Sequence, residues 1–317
     1  MGRVKVVENV KVTVVGAGSV GTSLAYATLI RGAASEVVLY DIAREKVEAE
    51  VLDLAHGTQF TGASVSGGAD LAVVEGSNVV VITAGAKQQP GQTRLDLAGT
   101  NVRILESLLP DLLERAPDAI YVLVTNPVDV MTVAAQRISG LPANRIFGSG
   151  TVLDTSRLRW LLAKRAGVST SSVHAAIVGE HGDTEFPLWS QAGIGPVPIL
   201  DWRGGEPFTL SELDEIADEV RNAAYTVIKG KGATNYAIGL AGARIVEAIV
   251  GDERAVLPVS TVLSGIRGLD GIALSLPSIV GGEGAFPIAE APMSDDEAEL
   301  LATSAETIRG SLASLGF

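Results

Sequence analysis

Lys11-Val12-Thr13-Val14-Val15-Gly16-Ala17-Gly18-Ser19-Val20-Gly21 is an apolar run that turns through Gly-x-Gly-x-x-Gly into Thr22 to Ile30, a segment without charge. The pattern predicts a buried strand, a tight turn and a buried helix. Small residues at such a turn let the backbone approach a pyrophosphate, and the helix N-terminus offers free N–H groups and a favourable dipole. The whole uncharged stretch from Val12 to Ile30 is long enough for a membrane or signal segment. Its three glycines and its Thr and Ser residues argue for the strand-turn-helix instead.

A second apolar run, Glu36 to Tyr40, ends at Asp41, which stands 20 residues past Gly21. A carboxylate there can accept hydrogen bonds from adenosine ribose hydroxyls and would repel a 2′-phosphate, which selects NAD over NADP. Two other readings stand beside this one. Asp41 also fits a cap on the helix starting near Ala43, and Arg44 lies close enough in sequence to reach a 2′-phosphate.

Further short runs rich in Val and Ile follow, Asn78 to Thr83 and Ile120 to Thr125, with crossover-length segments between them. Continuous apolar strands suit a parallel sheet covered on both faces. The fold expected is α/β, a Rossmann-type doubly wound parallel sheet over residues 1–149 as the NAD-binding domain. Residues 150–317 are expected to form a mixed α+β substrate-binding and catalytic domain, because the rhythm changes after Gly150. A helix over Val152 to Ala166 is followed by strand-like stretches at Ser172 to Val178 and Ile194 to Leu200. Helices then follow at Leu210 to Lys229 and Asn235 to Val250, and strands at Ala255 to Leu263 and Gly271 to Ile279. A last helix runs from Asp295 to about Leu315, with Ser294 as N-cap and Glu297 completing a capping box.

Composition narrows the partners. The 317 residues are 47% hydrophobic and 19% charged, as in a globular enzyme. A net charge of −13 would repel nucleic acid and anionic membranes, so neither is an expected partner. There is no cysteine, which excludes disulfides and thiolate chemistry and accords with a reducing cytoplasm.

Reduction of a 2-keto acid by hydride needs a proton donor for the carbonyl oxygen, a cation for the carboxylate and a group that polarises the carbonyl. Histidine is best tuned for the proton. Of His56, His174 and His181, the last lies in the turn-like Gly179-Glu180-His181-Gly182-Asp183 after an apolar run, whereas His56 ends a helical stretch before Gly57. Asp154 and Arg157 stand three apart on one helix face, a carboxylate to orient an imidazolium and a guanidinium to clamp a carboxylate. Asp154 equally completes a capping box with Thr151. The polar segment Ala86 to Arg94, with its Pro90-Gly91 turn, reads as a lid carrying Arg94 or as a plain surface loop.

These pieces resemble the lactate/malate dehydrogenase family, most closely its bacterial L-lactate dehydrogenase branch. The similarity spans nearly the whole chain: the Gly16 turn, Thr125-Asn126-Pro127-Val128-Asp129, Gly150 through Arg157, Gly179 through Asp183, and Lys231-Gly232-Ala233-Thr234. The resemblance implies that His181 is the acid/base, Asp154 its orienting carboxylate, Arg157 the substrate clamp and Arg94 the lid residue polarising the carbonyl. It implies that Asn126 and Thr234 border the substrate. Gly16, Gly18, Val20, Gly21, Asp41, Lys46, Gly85 and Asn126 are implied to contact NAD. It also implies a cis peptide at Asn126-Pro127, and it assigns no metal site.

Malate dehydrogenases of this fold carry Arg at the position of Gln88, so the uncharged Gln88 points to pyruvate and L-lactate, although Lys87 beside it is a possible substitute cation. Arg159 and His174 match positions that bind fructose 1,6-bisphosphate across a subunit interface in many bacterial relatives, which implies an allosteric homotetramer. His174 reads equally as an ordinary strand histidine. Two rivals remain: another L-2-hydroxy-acid dehydrogenase, and a non-catalytic NAD-binding protein on the same fold.

Overall fold

The computed structural model of the chain describes residues 9–86 and 94–317. The elements of the first half alternate as expected: β1 (Lys11–Val15), α1 (Ser19–Arg31), β2 (Glu36–Tyr40), α2 (Arg44–His56), β3 (Ser64–Gly68), β4 (Val79–Ile82), α3 (Arg94–Arg115), β5 (Ile120–Leu123), α4 (Val128–Ser139) and β6 (Ile146–Gly148). Their strands pair in parallel in the order β3-β2-β1-β4-β5-β6, with the reversal of order between β1 and β4. Ligands in such sheets bind at the carboxyl ends of the strands beside that reversal.

Strand β4 is apolar throughout because both of its faces are covered. Val79 and Val81 of β4 face a core shared with Leu24, Ala25 and Leu29 of α1, while Val80 and Ile82 face Leu105, Leu109 and Leu112 of α3 and Met131 of α4. Side chains alternate between faces along a strand, so two-sided burial disfavours polar positions, and buried Thr13 of β1 is accommodated by a 2.6 Å hydrogen bond with Ser77.

The second half contains α5 (Val152–Ala166), β7 (Val173–His174), β8 (Ile177–Val178), β9 (Phe186–Pro187), β10 (Gly193–Ile194), β11 (Val197–Pro198), α6 (Leu210–Lys231), α7 (Tyr236–Val250), β12 (Ala255–Val262), β13 (Ala273–Gly281), β14 (Gly284–Pro287) and α8 (Asp295–Ser314). Strand β12 pairs antiparallel with β6 through Ser260 and Gly148, and β13 and β14 continue the sheet outward. One nine-stranded sheet therefore runs through both halves of the chain. Helix α7 also crosses over to pack on α1. A Cβ on Gly239 would lie 2.8 Å from the Ser23 carbonyl, so only glycine permits that approach.

Two expectations are corrected. The stretches at 172–178 and 194–200 are broken into two-residue strands, with β7, β10 and β11 in one small sheet and β8 paired with β9 in another. Gly195, at a φ of 56°, makes the tight turn between β10 and β11, and Pro198 has no N–H to carry a ladder onward. The capping box at α5 is also absent: the Thr151 hydroxyl donates instead to the Ile177 carbonyl at 2.6 Å, and no side chain caps that helix. At α8 the box forms as read, with Ser294 accepting from the Glu297 N–H and Glu297 from the Ser294 N–H.

Candidate active site

Helix α5 presents Asp154 and Arg157 on one side, as three-residue spacing requires. Opposite them, the chain leaves β8 at Gly179, whose φ of 90° and exchange of two 2.9 Å hydrogen bonds with Ser275 pin the loop to β13. His181 follows two residues later. Its backbone N–H donates to Asp129 at 2.7 Å, and Asp129 accepts on its other oxygen from Ser260 at 2.5 Å. Buried Asp129 thus ties α4, the histidine loop and β12 together.

The side chain of His181 meets Asp154 through Nδ1 at 2.7 Å, while Arg157 donates to the other Asp154 oxygen at 2.6 Å. With Nδ1 committed to the carboxylate, Nε2 is the ring nitrogen left for proton exchange. His181, Asp154 and Arg157 line a cavity of about 330 Å³ with Asn126, Asp129, Glu185 and Arg221. That volume suits a small substrate. Leu95, Leu97 and Ala98 also line it, so the start of α3 borders the cavity. The Arg94 side chain and Gln88 lie outside the described residues.

Charge within the cavity is set by burial and close partners. Burial disfavours the imidazolium of His181, yet Asp154, with Glu185 and Asp129 behind it, overcomes that and holds the group up at about 9. Burial likewise pushes Asp154 upward, but His181 and Arg157 prevail and keep it below the usual carboxylate range. Burial carries Asp129 up to about 6, less what its bonds from Ser260 and His181 recover. Burial and then repulsion from Asp154 carry Glu185 up to about 8, against the pull of His181, Arg157 and Arg221. The result is a protonated histidine at neutral pH, a ready acid. Oxygen and nitrogen atoms of Asp154, His181 and Glu185 also have the mutual spacing of a cation site, but the Arg157 guanidinium already supplies positive charge to Asp154 there.

Of the residues expected to contact the cofactor, Gly16, Gly18, Gly21 and Asp41 gather at the ends of β1 and β2. Gly16 has a φ of 108°, and a Cβ on Gly21 would stand 1.9 Å from the Gly16 carbonyl, so the turn closes only with glycine at both positions. Gly18 faces open space, and no side chain caps α1, which leaves its N-terminal N–H groups for an anion. Asp41 braces the turn from both sides: one oxygen accepts from the Ala17 N–H at 2.7 Å, the other from the Ala43 N–H at 2.9 Å, while no side chain caps α2 itself. Arg44 is turned along α2 to Glu48. Val20 is half-buried, and Lys46 and Gly85 are exposed. A side chain on Gly85 would strike Thr125 and the Asn101 amide. These residues fit a dinucleotide.

Not every expected residue converges. Thr234 sits between α6 and α7, outside the cavity lining. Arg159 lies away from the cavity; its Nε donates to the Ala175 carbonyl at 2.9 Å, and burial lowers its pKa. His174, next to Ala175, is exposed in β7. The Asn126-Pro127 peptide is cis.

Sequence reading passed over four residues that shape the site. Asp129 stood within a motif already quoted, and Glu185 stands one helical turn's spacing past His181, but nothing in their type marks them as buried. Ser260 acts only through Asp129. Asn101 accepts from the Ala86 N–H and donates to the Asn126 carbonyl, each at 2.7 Å, and so joins the cofactor side to the substrate side.

The comparisons with known proteins agree with this geometry. Residues 10–148 match the profile of the lactate/malate dehydrogenase NAD binding domain, and residues 151–315 that of the lactate/malate dehydrogenase alpha/beta C-terminal domain. An L-lactate dehydrogenase of Bifidobacterium animalis subsp. lactis is 50% identical over 311 residues, covering 97% of each chain. One from Synechococcus sp. (strain JA-3-3Ab) is 47% identical over 94% of this chain and 97% of its own. Among solved structures, the minor L-lactate dehydrogenase of Enterococcus mundtii in a ligand-bound form superposes with a TM-score of 0.92 at 40% identity, covering 96% of this chain and 98% of that one.

Proposed function

The chain belongs to the lactate/malate dehydrogenase family, and from that premise we propose that it is an L-lactate dehydrogenase interconverting pyruvate and L-lactate. The observation that carries the reading is the Asp154 carboxylate shared by His181 and Arg157 at the wall of a small cavity. One helix thereby orients a proton donor and places a carboxylate clamp beside it.

Bound NADH supplies the hydride, held by the glycine turn and Asp41. The chain's own residues do the rest. Arg157 holds the substrate carboxylate through paired hydrogen bonds, and His181 passes its Nε2 proton to the carbonyl oxygen as the alcohol forms. Asp154 stabilises the imidazolium beforehand and fixes the tautomer afterwards. In lactate oxidation the same nitrogen takes the hydroxyl proton back. We assign Arg94 to polarising the carbonyl and Gln88 to receiving a substrate without a second carboxylate, which favours pyruvate over oxaloacetate. We assign Asn126 to the border of nicotinamide and substrate; Thr234, outside the cavity lining, receives no role here.

The division of labour follows the sheet: residues 1–149 bind NAD, and residues 150–317 bind and transform the substrate. We further propose a cytoplasmic homotetramer activated by fructose 1,6-bisphosphate at Arg159 and His174. Their position away from the cavity supports an effector role, and exposed Tyr26 and Ile30 of α1, Leu52 of α2 and Leu240 of α7 support a subunit contact. Among the described residues no helix is long and apolar enough to cross a membrane.

His181→Asn tests the reading. Turnover of pyruvate should fall by about 10³-fold, within the range for loss of a general acid, while NADH binding followed by fluorescence stays near that of the parent. Retained turnover in the variant would refute the role given to His181.

A further inference from the structure

Resting on that reading of His181, we propose that Glu185 is a positioning residue for proton transfer: its buried carboxyl ionises against the imidazolium and keeps His181 protonated further into the alkaline range. Glu185 is 5% exposed, lines the catalytic cavity and stands 3.9 Å from His181 Nδ1. Its oxygen, an Asp154 oxygen and an imidazole nitrogen all lie within 4.8 Å of one another. Two buried carboxylates that close cannot both ionise comfortably, unless a positive charge lies between them. His181 is that charge.

The consequence is a linked pair. Asp154, bonded by Arg157 as well as His181, is the member that stays ionised. Glu185 therefore holds a proton through neutral pH and gives it up at about 8, below the point at which His181 loses its own. Once ionised, Glu185 adds a second anion beside the imidazolium and delays its deprotonation. The other groups facing the pair are Asp129 from α4, Arg157 from α5, Arg221 from α6 and Glu180 from the histidine loop itself. Asp129 is bonded to the His181 backbone and to Ser260, and the Glu180 carboxylate accepts from Thr184, whereas Glu185 stands 3.9 Å from the imidazole Nδ1.

The sign follows directly. Pyruvate reduction needs protonated His181, so kcat/KM is high at low pH and falls as pH rises through the histidine's pKa. A raised pKa places that fall at higher pH, and removing the carboxylate that raises it brings the fall earlier.

The test is the pH profile of kcat/KM for pyruvate in the parent enzyme and in Glu185→Gln, from about pH 6 to about pH 10. The alkaline limb of the variant should lie about one pH unit below that of the parent, whatever the height of its plateau. Superimposable limbs would overturn the proposal. If the variant does not fold, the parent decides: with only three histidines, ¹⁵N-labelled imidazoles resolve His181 by NMR. Its titration should centre above about pH 8 and carry a second inflection from Glu185, whereas one simple step near pH 6.5 would count against the coupling. Failure of the underlying reading looks different, because His181→Asn would then retain turnover. A normal loss in that variant with unshifted limbs in Glu185→Gln sinks the Glu185 proposal alone.

Discussion

Asp154 accepts from a guanidinium and an imidazole on its two oxygens while almost wholly buried, so one carboxylate organises two chemically different partners. A buried charge persists only with such partners. Arg157 neutralises Asp154 through one nitrogen, and the proposed function gives the rest of its fork to substrate. Arg157→Lys should preserve the positive charge but lose the planar pair of bonds. Steady-state kinetics are expected to show kcat/KM for pyruvate reduced roughly 50-fold, about 2.3 kcal/mol, mostly through KM. A variant within a few-fold of the parent would mean that substrate is held elsewhere. At this scale Asp154, Arg157 and His181 were legible because residue type and spacing reveal acid, cation and proton carrier. Asp129 and Glu185 were not, because an ordinary carboxyl acquires its role only from burial and from neighbours that folding brings to it, Ser260 and the His181 loop for Asp129, Asp154 and Arg221 for Glu185.

The elements place these residues by close approach of backbone. The glycine turn is the sharpest case: Gly21 sits against the Gly16 carbonyl and the Thr83 hydroxyl, with no room for a methyl group. Gly21→Ala should force α1 off the turn, weaken NADH binding at least about 10-fold and destabilise the fold by about 2 kcal/mol. Fluorescence titration and thermal melting read the two effects, and an unaltered NADH affinity would contradict the cradle described. The motif was readable because its glycines have a mechanical cause. Helix α8 was readable too, since Ser294 and Glu297 form their capping box from local sequence alone. The pair Thr151 and Asp154 has comparable spacing but does not cap α5. There the Ile177 carbonyl and the His181 imidazole, both brought by tertiary structure, capture the two side chains. Strands β3 and β6 escaped notice for other reasons. Ser64-Val65-Ser66-Gly67-Gly68 has too few apolar residues to stand out at a sheet edge, and Ile146 to Gly148 is only three residues long.

Across the whole molecule, one continuous sheet supports both the cofactor cradle and the cavity. The carboxyl ends of the parallel strands carry the glycine turn, Gly85 and the cis Asn126-Pro127 step, while β12, hydrogen-bonded to the edge of the same sheet, supplies Ser260 to Asp129. The alternating first half announced the parallel sheet. Its antiparallel extension could not be read from periodicity, because strand direction depends on how the chain returns. The glycine turn and His181 therefore share one frame, and the proposed function assigns substrate choice to Gln88 and Arg94. The central claim is that this frame reduces pyruvate. The most direct measurement is the rate of NADH oxidation with pyruvate and with oxaloacetate, each with and without fructose 1,6-bisphosphate. The account predicts a kcat/KM for pyruvate at least about 10²-fold above that for oxaloacetate, and a lower KM for pyruvate with the bisphosphate present. Preference for oxaloacetate would contradict it, and a pyruvate preference indifferent to the bisphosphate would remove the role proposed for Arg159 and His174.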